Sequence, residues 1–240
     1  MFQNPALAIA RAVGTHKQDN WSIKEYRMEI SELWVYRIIP IDNLEDDLTN
    51  GLYSKRSAPN NNNRIAIGHR EIIDERDNRI VKCYPDTVVN DYIPFYFSVR
   101  TPMLYNIITG HGVPAKSQKD IIYLCYKYVD LANEQFQWCF TDGNAAKKIT
   151  RFYTEHVDLD KLDWRSINAE DFRSDNSDGD EDRIRKKHSE FLVLNRVPSD
   201  KLGALVVLNT DVEASVKSII KSCNVDLNVY INPNKKFYFV

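Results

Sequence analysis

No stretch of this 240-residue sequence approaches the roughly 18 consecutive apolar residues that cross a bilayer, so no membrane span is expected. The opening MFQNPALAIARAVG has no basic stretch before its apolar part, which argues against a signal peptide. Phe2 does not fit an N-myristoylation start. An excess of one charge is also missing: Lys plus Arg total 32 against 34 for Asp plus Glu, a formal net charge of −2. Proteins that coat duplex DNA by bulk charge are basic, so any nucleic-acid contact here must come from a local patch. The four cysteines (Cys83, Cys125, Cys139, Cys223) lack the close pairing of a zinc ribbon or finger and read as reduced thiols in a cytoplasmic protein. P-loop, G-x-S-x-G and H-E-x-x-H motifs are absent. Gly110-His111-Gly112 lacks the context of a phosphate turn, and His69, His111 and His188 read as surface or structural residues.

What remains is ordinary for a globular chain: 43% hydrophobic and 28% charged residues, with no repeat and no Pro-, Gly- or Ser-rich linker. Helix signals open it, first at Asn4-Pro5 up to Gly14, then at the capping box Ser22–Glu25 with Tyr26, Ile30 and Leu33 on one face. Residues 33–39 (LWVYRII) read as a strand stopped by Pro40, followed by a short amphipathic helix that ends at Gly51. Residues 54–64 read as a polar loop, and 92–97 and 120–128 as buried strands. Thr141-Asp142 predicts the cap of a helix through Ala145, Ile149 and Phe152. Strands over 190–195 and 202–209, a helix around Val212–Ile220 and two short strands close the chain. The fold class is α+β, with strands whose order in the sheet is not sequential.

Residues 170–188 (EDFRSDNSDGDEDRIRKKH) are conspicuous, with acids first and then Arg183, Arg185, Lys186 and Lys187. A calcium loop fails, because placing Gly179 at its sixth position puts Ser174 first and Arg185 twelfth. A solvated charged face and a functional loop both remain open. Glu190 follows directly, at the mouth of an apolar strand, where a carboxylate is held rigidly enough to aim at a substrate.

Six blocks in order carry a resemblance: VYRIIPIDNL (35–44), IGHREIIDER (67–76), NDYIPFYFSVRTPMLY (90–105), FTDGNA (140–145), DW with DF downstream (163–172), and RIRKKHSEFLV (183–193). Together they resemble the DarT family of DNA ADP-ribosyltransferase toxins. The resemblance implies an ADP-ribosyltransferase fold, a split antiparallel β core with peripheral helices and NAD in the cleft between half-sheets. It also implies transfer of ADP-ribose from NAD, without a metal, to a base in single-stranded DNA: thymine in one branch, guanine in another. The implied partner is a DarG-type macrodomain antitoxin that removes the modification. On this resemblance residues 34–240 form the catalytic domain and 1–33 a helical extension.

Carried over residue by residue, Glu190 matches the catalytic glutamate and Arg76 the essential arginine that meets the NAD phosphates or the acceptor base. Arg37, Ile39, Asn43, Leu52, Ile67 and Phe97 fall in blocks resembling NAD-lining segments, with core packing the competing account of Ile67 and Phe97. Asn144, where relatives often carry histidine, is placed at the extruded nucleotide. Arg173, Arg183, Arg185, Lys186 and Lys187 are expected on DNA phosphates, in a loop resembling the family's substrate-recognition loop. Pro40 departs from the pattern, standing where relatives carry a histidine that helps hold NAD. Two other readings compete: a relative that binds single-stranded DNA without modifying it, and a metal-dependent nuclease using the acids of 175–182. The second is disfavoured because those acids share one stretch rather than several strand ends.

Overall fold

The computed structural model describes residues 30–59, 64–173 and 179–239. The first expected helix and the start of the second lie outside these, as do Asp175 and Asp178 of the charged segment; where the second was expected to continue, Ile30–Glu32 form a single 3-10 turn. The rest builds around one eight-stranded sheet with the order β12-β11-β6-β1-β5-β9-β7-β8. Its strands are β1 (Trp34–Pro40), β5 (Tyr92–Tyr96), β6 (Ile121–Lys127), β7 (Trp138–Thr141), β8 (Phe152–Tyr153), β9 (Glu190–Leu194), β11 (Ala204–Val207) and β12 (Val229–Ile231). Two-residue strands β2 (Leu52–Tyr53) and β10 (Arg196–Val197) pair with each other, and β3 (Ile80–Val81) pairs with β4 (Tyr84–Val88). Among the described residues no helix is long and apolar enough to cross a membrane.

The sheet is split at its centre. β1 pairs with β6 along its whole length, from Trp34↔Lys127 to Pro40↔Ile121, but meets β5 only at Tyr36↔Tyr96. Beyond that pair the two strands diverge. The alternation of side chains along strands makes the consequence visible. One face carries a continuous core through both halves, including Val35, Ile39, Leu124, Phe95, Phe97, Phe140, Phe191 and Val193. The other face carries two separate clusters, one around Tyr36, Ile38, Tyr123 and Val206, the other around Tyr92, Cys139 and Leu192. The gap between those clusters is where polar side chains can gather without breaking a core.

Helix α1 (Leu44–Asn50) ends at Gly51, whose φ of 77° and whose contact with Val197 leave no room for a side chain: a Cβ there would lie 2.5 Å from the Val197 carbonyl oxygen. Helix α2 (Arg70–Asp77) packs beside the split, and α3 (Pro102–Thr109) is capped by Thr101 and ends at Gly110 in the left-handed region. Gly110 is thus a helix stop. Short α4 (Tyr128–Leu131), α5 (Trp164–Asn168) and α6 (Arg183–Lys187) follow, then α7 (Thr210–Ser222), as its apolar spacing predicts.

Two expectations are corrected. The helix predicted over 141–152 is a loop between β7 and β8. Thr141 donates its hydroxyl proton to the Gly143 carbonyl (2.7 Å), and the Asp142 carboxylate accepts from the Arg151 N–H (2.9 Å). Residues that look like caps here hold a turn instead. The second C-terminal strand does not form: Tyr238 buries its ring and donates to the Ile121 and Val206 carbonyls (3.0 Å each), pinning 237–239 across the sheet. The expected split, mostly antiparallel core is present; among the described strands only the edge pair β11 and β12 runs parallel.

Candidate active site

Tyr36, Tyr96 and Glu190 form one lateral row across the split, by the pairings Tyr36↔Tyr96 and Tyr96↔Glu190. Paired residues point to the same face, so the row lines the polar gap. Glu190 is the first residue of β9, and its N–H is fixed by the Thr141 hydroxyl (3.0 Å). From α2, which is anchored at its middle by Asn90 donating to the Ile73 carbonyl (2.7 Å), Arg76 reaches over the row. Its Nη1 donates to both carboxylate oxygens of Glu190, at 2.8 Å to Oε2 and 3.1 Å to Oε1. The Ala145 N–H adds a third bond, to Oε1 (3.1 Å). Glu190 is 2% exposed and Arg76 9%, so this is a buried pair. A carboxylate has about four acceptor sites. Three are used, and the open one is on Oε2.

The Ala145 donor is held by a second layer. Arg79 donates through Nη2 to the carbonyls of Lys147 (3.1 Å), Lys148 (3.3 Å) and Thr150 (3.3 Å), clamping the 142–150 loop from outside. On the inside, Arg185 donates to the Asp142 carbonyl (3.0 Å) and ties to both carboxylate oxygens of Asp182 (2.7 and 2.6 Å). Gly143 is required there, because a Cβ would collide with the Arg185 side chain. The Asn144 N–H meets the Arg185 carbonyl (3.2 Å), and its side-chain oxygen accepts from Ala146 (3.0 Å). Buried polar atoms without a protein partner on this face of the split are Arg76 Nη2, Tyr36 Oη and Ser98 Oγ. Such atoms ask for a ligand or water. A phosphate-bearing, hydroxyl-rich molecule such as NAD fits them, offering an anion to the guanidinium and a ribose hydroxyl to Oε2.

The side chains expected to line NAD divide. Arg37 alternates with Tyr36 and so leaves the sheet on the opposite face, where it spans the split to the Pro94 carbonyl (2.9 Å). Buried Asp47 balances its charge, and burial raises the Asp47 carboxyl while Arg64 and Arg37 draw it back. Asn43 clamps the Ile65 backbone from both sides, accepting from its N–H (2.9 Å) and donating to its carbonyl (3.0 Å). It therefore shapes the segment leading to Arg76. Ile39, Leu52 and Phe97 belong to the continuous core, and Ile67 packs against the cluster around Tyr36.

The basic run is corrected more sharply, because the acids around it turn most of it inward. Lys187 is 2% exposed and donates to the Ile167 carbonyl (3.0 Å). Arg183 is buried and donates to the Asp171 carbonyl (3.3 Å). Lys186 joins Asp163 and Asp180 (3.1 Å each), and Arg185 serves the loop. Arg173 is exposed and paired with Asp171 (2.9 Å). Apart from exposed Arg173, these side chains tie α6 to its neighbours instead of forming a fully exposed surface stripe. Among the described residues no three His, Cys, Asp or Glu side chains converge as a metal-ligand group.

Electrostatics at the row are severe. Burial, reinforced by Lys187, Arg76 and Lys147, pulls His188 down to about 4, so its ring beside Tyr96 (6.2 Å between centroids) is neutral at pH 7. Burial and then the Glu190 charge push the Tyr96 hydroxyl well up. Tyr36, Tyr96, Thr141, Ala145 and Arg79 were not legible as site residues. The one local signal was the turn-forming composition of Thr141-Asp142-Gly143-Asn144.

Against known proteins, a family model described as "DarT: ssDNA thymidine ADP-ribosyltransferase, DarT" matches residues 36–239. A DNA ADP-ribosyl transferase from Thermus sp. (strain 2.9) is 33% identical over 190 residues, covering 78% of this chain and 87% of that protein. The structure of Thermus sp. 2.9 DarT in complex with ADP-ribosylated ssDNA superposes with a TM-score of 0.76 at 28% identity, over 86% of this chain and 96% of that one. The same protein in complex with NAD+ gives a TM-score of 0.73 at 27% identity, over 88% of this chain and 98% of that one.

Proposed function

The chain belongs to the DarT family, and with that as premise we propose how its site works and on what. It is an NAD-dependent DNA ADP-ribosyltransferase. The acceptor we assign is a thymine base in single-stranded DNA, which the wording of the family description supports. Residues 34–240 act as the catalytic domain and 1–33 as an accessory extension. The modification blocks DNA templates, making the protein a toxin, and a macrodomain antitoxin removes it.

In the reaction the bond between the nicotinamide nitrogen and ribose C1 breaks, and nicotinamide leaves as a neutral molecule. A bond forms between that carbon and a nitrogen of the base, whose proton is released. Glu190 serves this twice. Its open Oε2 position accepts from a hydroxyl of the nicotinamide ribose, and its negative charge stabilises the positive charge that develops on the sugar as the leaving group departs. It then lies within reach of the proton coming off the attacking nitrogen. Arg76 fixes the carboxylate through Nη1 and offers its unpartnered Nη2 to an NAD phosphate, a role that suits a planar guanidinium better than lysine. Reaching a base nitrogen needs an unstacked base, which favours single strands.

The observation that carries this reading is the buried Arg76–Glu190 pair at the split, with one acceptor position and one donor left open. The acceptor is tested with NAD and four single-stranded oligonucleotide pools, each lacking one base. Thymine as acceptor predicts that the thymine-free pool alone stays unmodified. Modification of that pool, with loss in the guanine-free one, reassigns the base. Incubating the product with a macrodomain hydrolase should restore the original mass.

A further inference from the structure

Two of the four cysteines meet beside the active site, and the transfer reaction uses neither. Cys83 stands in the two-residue turn, Lys82-Cys83, that joins β3 to β4 where Val81 pairs with Tyr84. Cys139 is the second residue of β7, opposite Leu192 of β9, and is fully buried. The turn packs on that strand. The Tyr84 hydroxyl donates to the Trp138 carbonyl (3.2 Å), and Cys83 joins the small cluster of Val81, Tyr92, Cys139, Ala145 and Leu192. There the two thiols share a hydrogen bond. The other cysteines lie elsewhere: Cys125 is buried in the cluster around Tyr36, and Cys223 packs on the continuous core at the C-terminal end of α7.

The pair is asymmetric in the way disulfide formation needs. Cys83 is half-buried, and the hydrogen bond from Cys139 draws its thiol down. Burial pushes the Cys139 thiol well up, with Cys83 adding to the effect. The thiolate is the nucleophile, so Cys83 reacts first while Cys139 keeps its proton within reach. Burial also pushes Cys125 far up, which leaves it inert. With a peroxide as oxidant, the Cys83 thiolate attacks one peroxide oxygen and the O–O bond breaks. The departing hydroxide takes up the proton that Cys83 released and becomes water, leaving a sulfenic acid. The Cys139 sulfur then attacks the sulfenic sulfur, the S–O bond breaks, and the hydroxyl leaves as a second water with the Cys139 proton. The two thiols lose two electrons between them, and the peroxide is reduced to water.

We propose that Cys83 and Cys139 form a peroxide-sensitive pair whose reversible disulfide slows ADP-ribose transfer. Position supports it. Cys83 sits on the hairpin that follows α2, the helix carrying Arg76, and Arg79 lies between the two. Cys139 lies two residues before Thr141, whose hydroxyl fixes the Glu190 N–H, and shares its cluster with Ala145, the donor to Glu190 Oε1. It is near enough to Glu190 to feel that charge. A covalent bond in place of the hydrogen bond draws the hairpin onto β7. The two sides of the Glu190 cradle, Arg76 on one and the Ala145 N–H on the other, then shift against each other. Misplacing a catalytic group by about 1 Å costs on the order of a hundredfold in rate; a smaller shift passed through the backbone should cost about tenfold.

The full chain is reduced, desalted and treated with hydrogen peroxide, then denatured in N-ethylmaleimide for peptide mass spectrometry. Transfer from NAD to mixed-sequence single-stranded oligonucleotides is timed on the same samples. Maleimide should label Cys125 and Cys223 alone, with Cys83 and Cys139 recovered in one linked peptide. The rate should fall about tenfold, and dithiothreitol should return both the free thiols and the rate. Cys83→Ser should transfer within about twofold of wild type, before and after peroxide alike. The wild-type linkage and its reversal stand without any variant, so they carry the test if Cys83→Ser fails to fold. Absence of the Cys83–Cys139 peptide overturns the proposal, as does a linked protein that transfers at the reduced rate. So does a loss that dithiothreitol fails to reverse, or one that persists in Cys83→Ser.

Discussion

Replacing Arg76 by methionine should destabilise the ligand-free protein more than any exposed substitution, and by a predictable route. The change removes both bonds from Nη1 and leaves a carboxylate at 2% exposure with the Ala145 N–H as its remaining donor. Breaking a buried ion pair from one side costs about 3–5 kcal/mol, because the stranded charge has lost its solvent as well as its partner. Glu190→Gln keeps the shape and the Ala145 bond but turns an NH2 group toward the guanidinium, for about 1–3 kcal/mol. In the double variant Arg76→Met, Glu190→Gln no charge is stranded. Its cost should then fall short of the sum of the two single changes by about 2 kcal/mol. Urea unfolding of the four proteins at pH 7.5, followed by tryptophan fluorescence, gives this coupling directly. Additivity within about 0.5 kcal/mol would refute the pair as the organising contact of the site.

Stability should rise with pH in two windows. The folded state holds Lys187 at about 7 against an ordinary 10.5, and His188 at about 4 against 6.5. Between each pair of values the unfolded chain binds the extra proton, so raising pH favours the folded state from about 4 to 6.5 and from about 7 to 10.5. A urea midpoint that stays flat or falls between pH 7 and 9 would contradict the upper window, and Lys187→Met should flatten it. Arg79→Ala releases three carbonyls of the 142–150 loop and should lower kcat about tenfold while single-stranded DNA affinity changes less than twofold. Faster hydrogen exchange at the Ala145 and Ala146 amides would tie that loss to the loop, and unchanged exchange would not. Gly51→Ala forces a Cβ against the Val197 carbonyl at a φ of 77° and should cost about 1–3 kcal/mol by thermal unfolding, with a cost below 0.5 counting against it.

How much of this was legible in the chain follows from which forces are local. β1, α1 and α7 were readable because their apolar spacing and their stops at Pro40 and Gly51 are written within a few residues. The helix expected over 141–152 failed for a non-local reason. Thr141 is committed to the Glu190 N–H, 49 residues away, and Arg79 and Arg185 hold the loop from two other elements. The central pair joins residues 114 positions apart, and it was anticipated through resemblance rather than spacing. The basic run at 183–187 looked like a surface stripe because sequence shows charge but not burial. Aspartates 142, 163, 180 and 182 supply the counter-charges that fold Arg185 and Lys186 inward, whereas Lys187 enters without one.

The central claim is that ADP-ribose transfer to single-stranded DNA depends on the Glu190 carboxylate held by Arg76. Intact mass spectrometry of mixed-sequence oligonucleotides incubated with NAD tests it most directly, comparing wild type with Glu190→Gln, whose DNA affinity is measured alongside. Wild type should add one ADP-ribose per acceptor, and Glu190→Gln should bind the same DNA within about twofold while losing at least a hundredfold in rate. Transfer by Glu190→Gln at a rate near wild type would contradict the account.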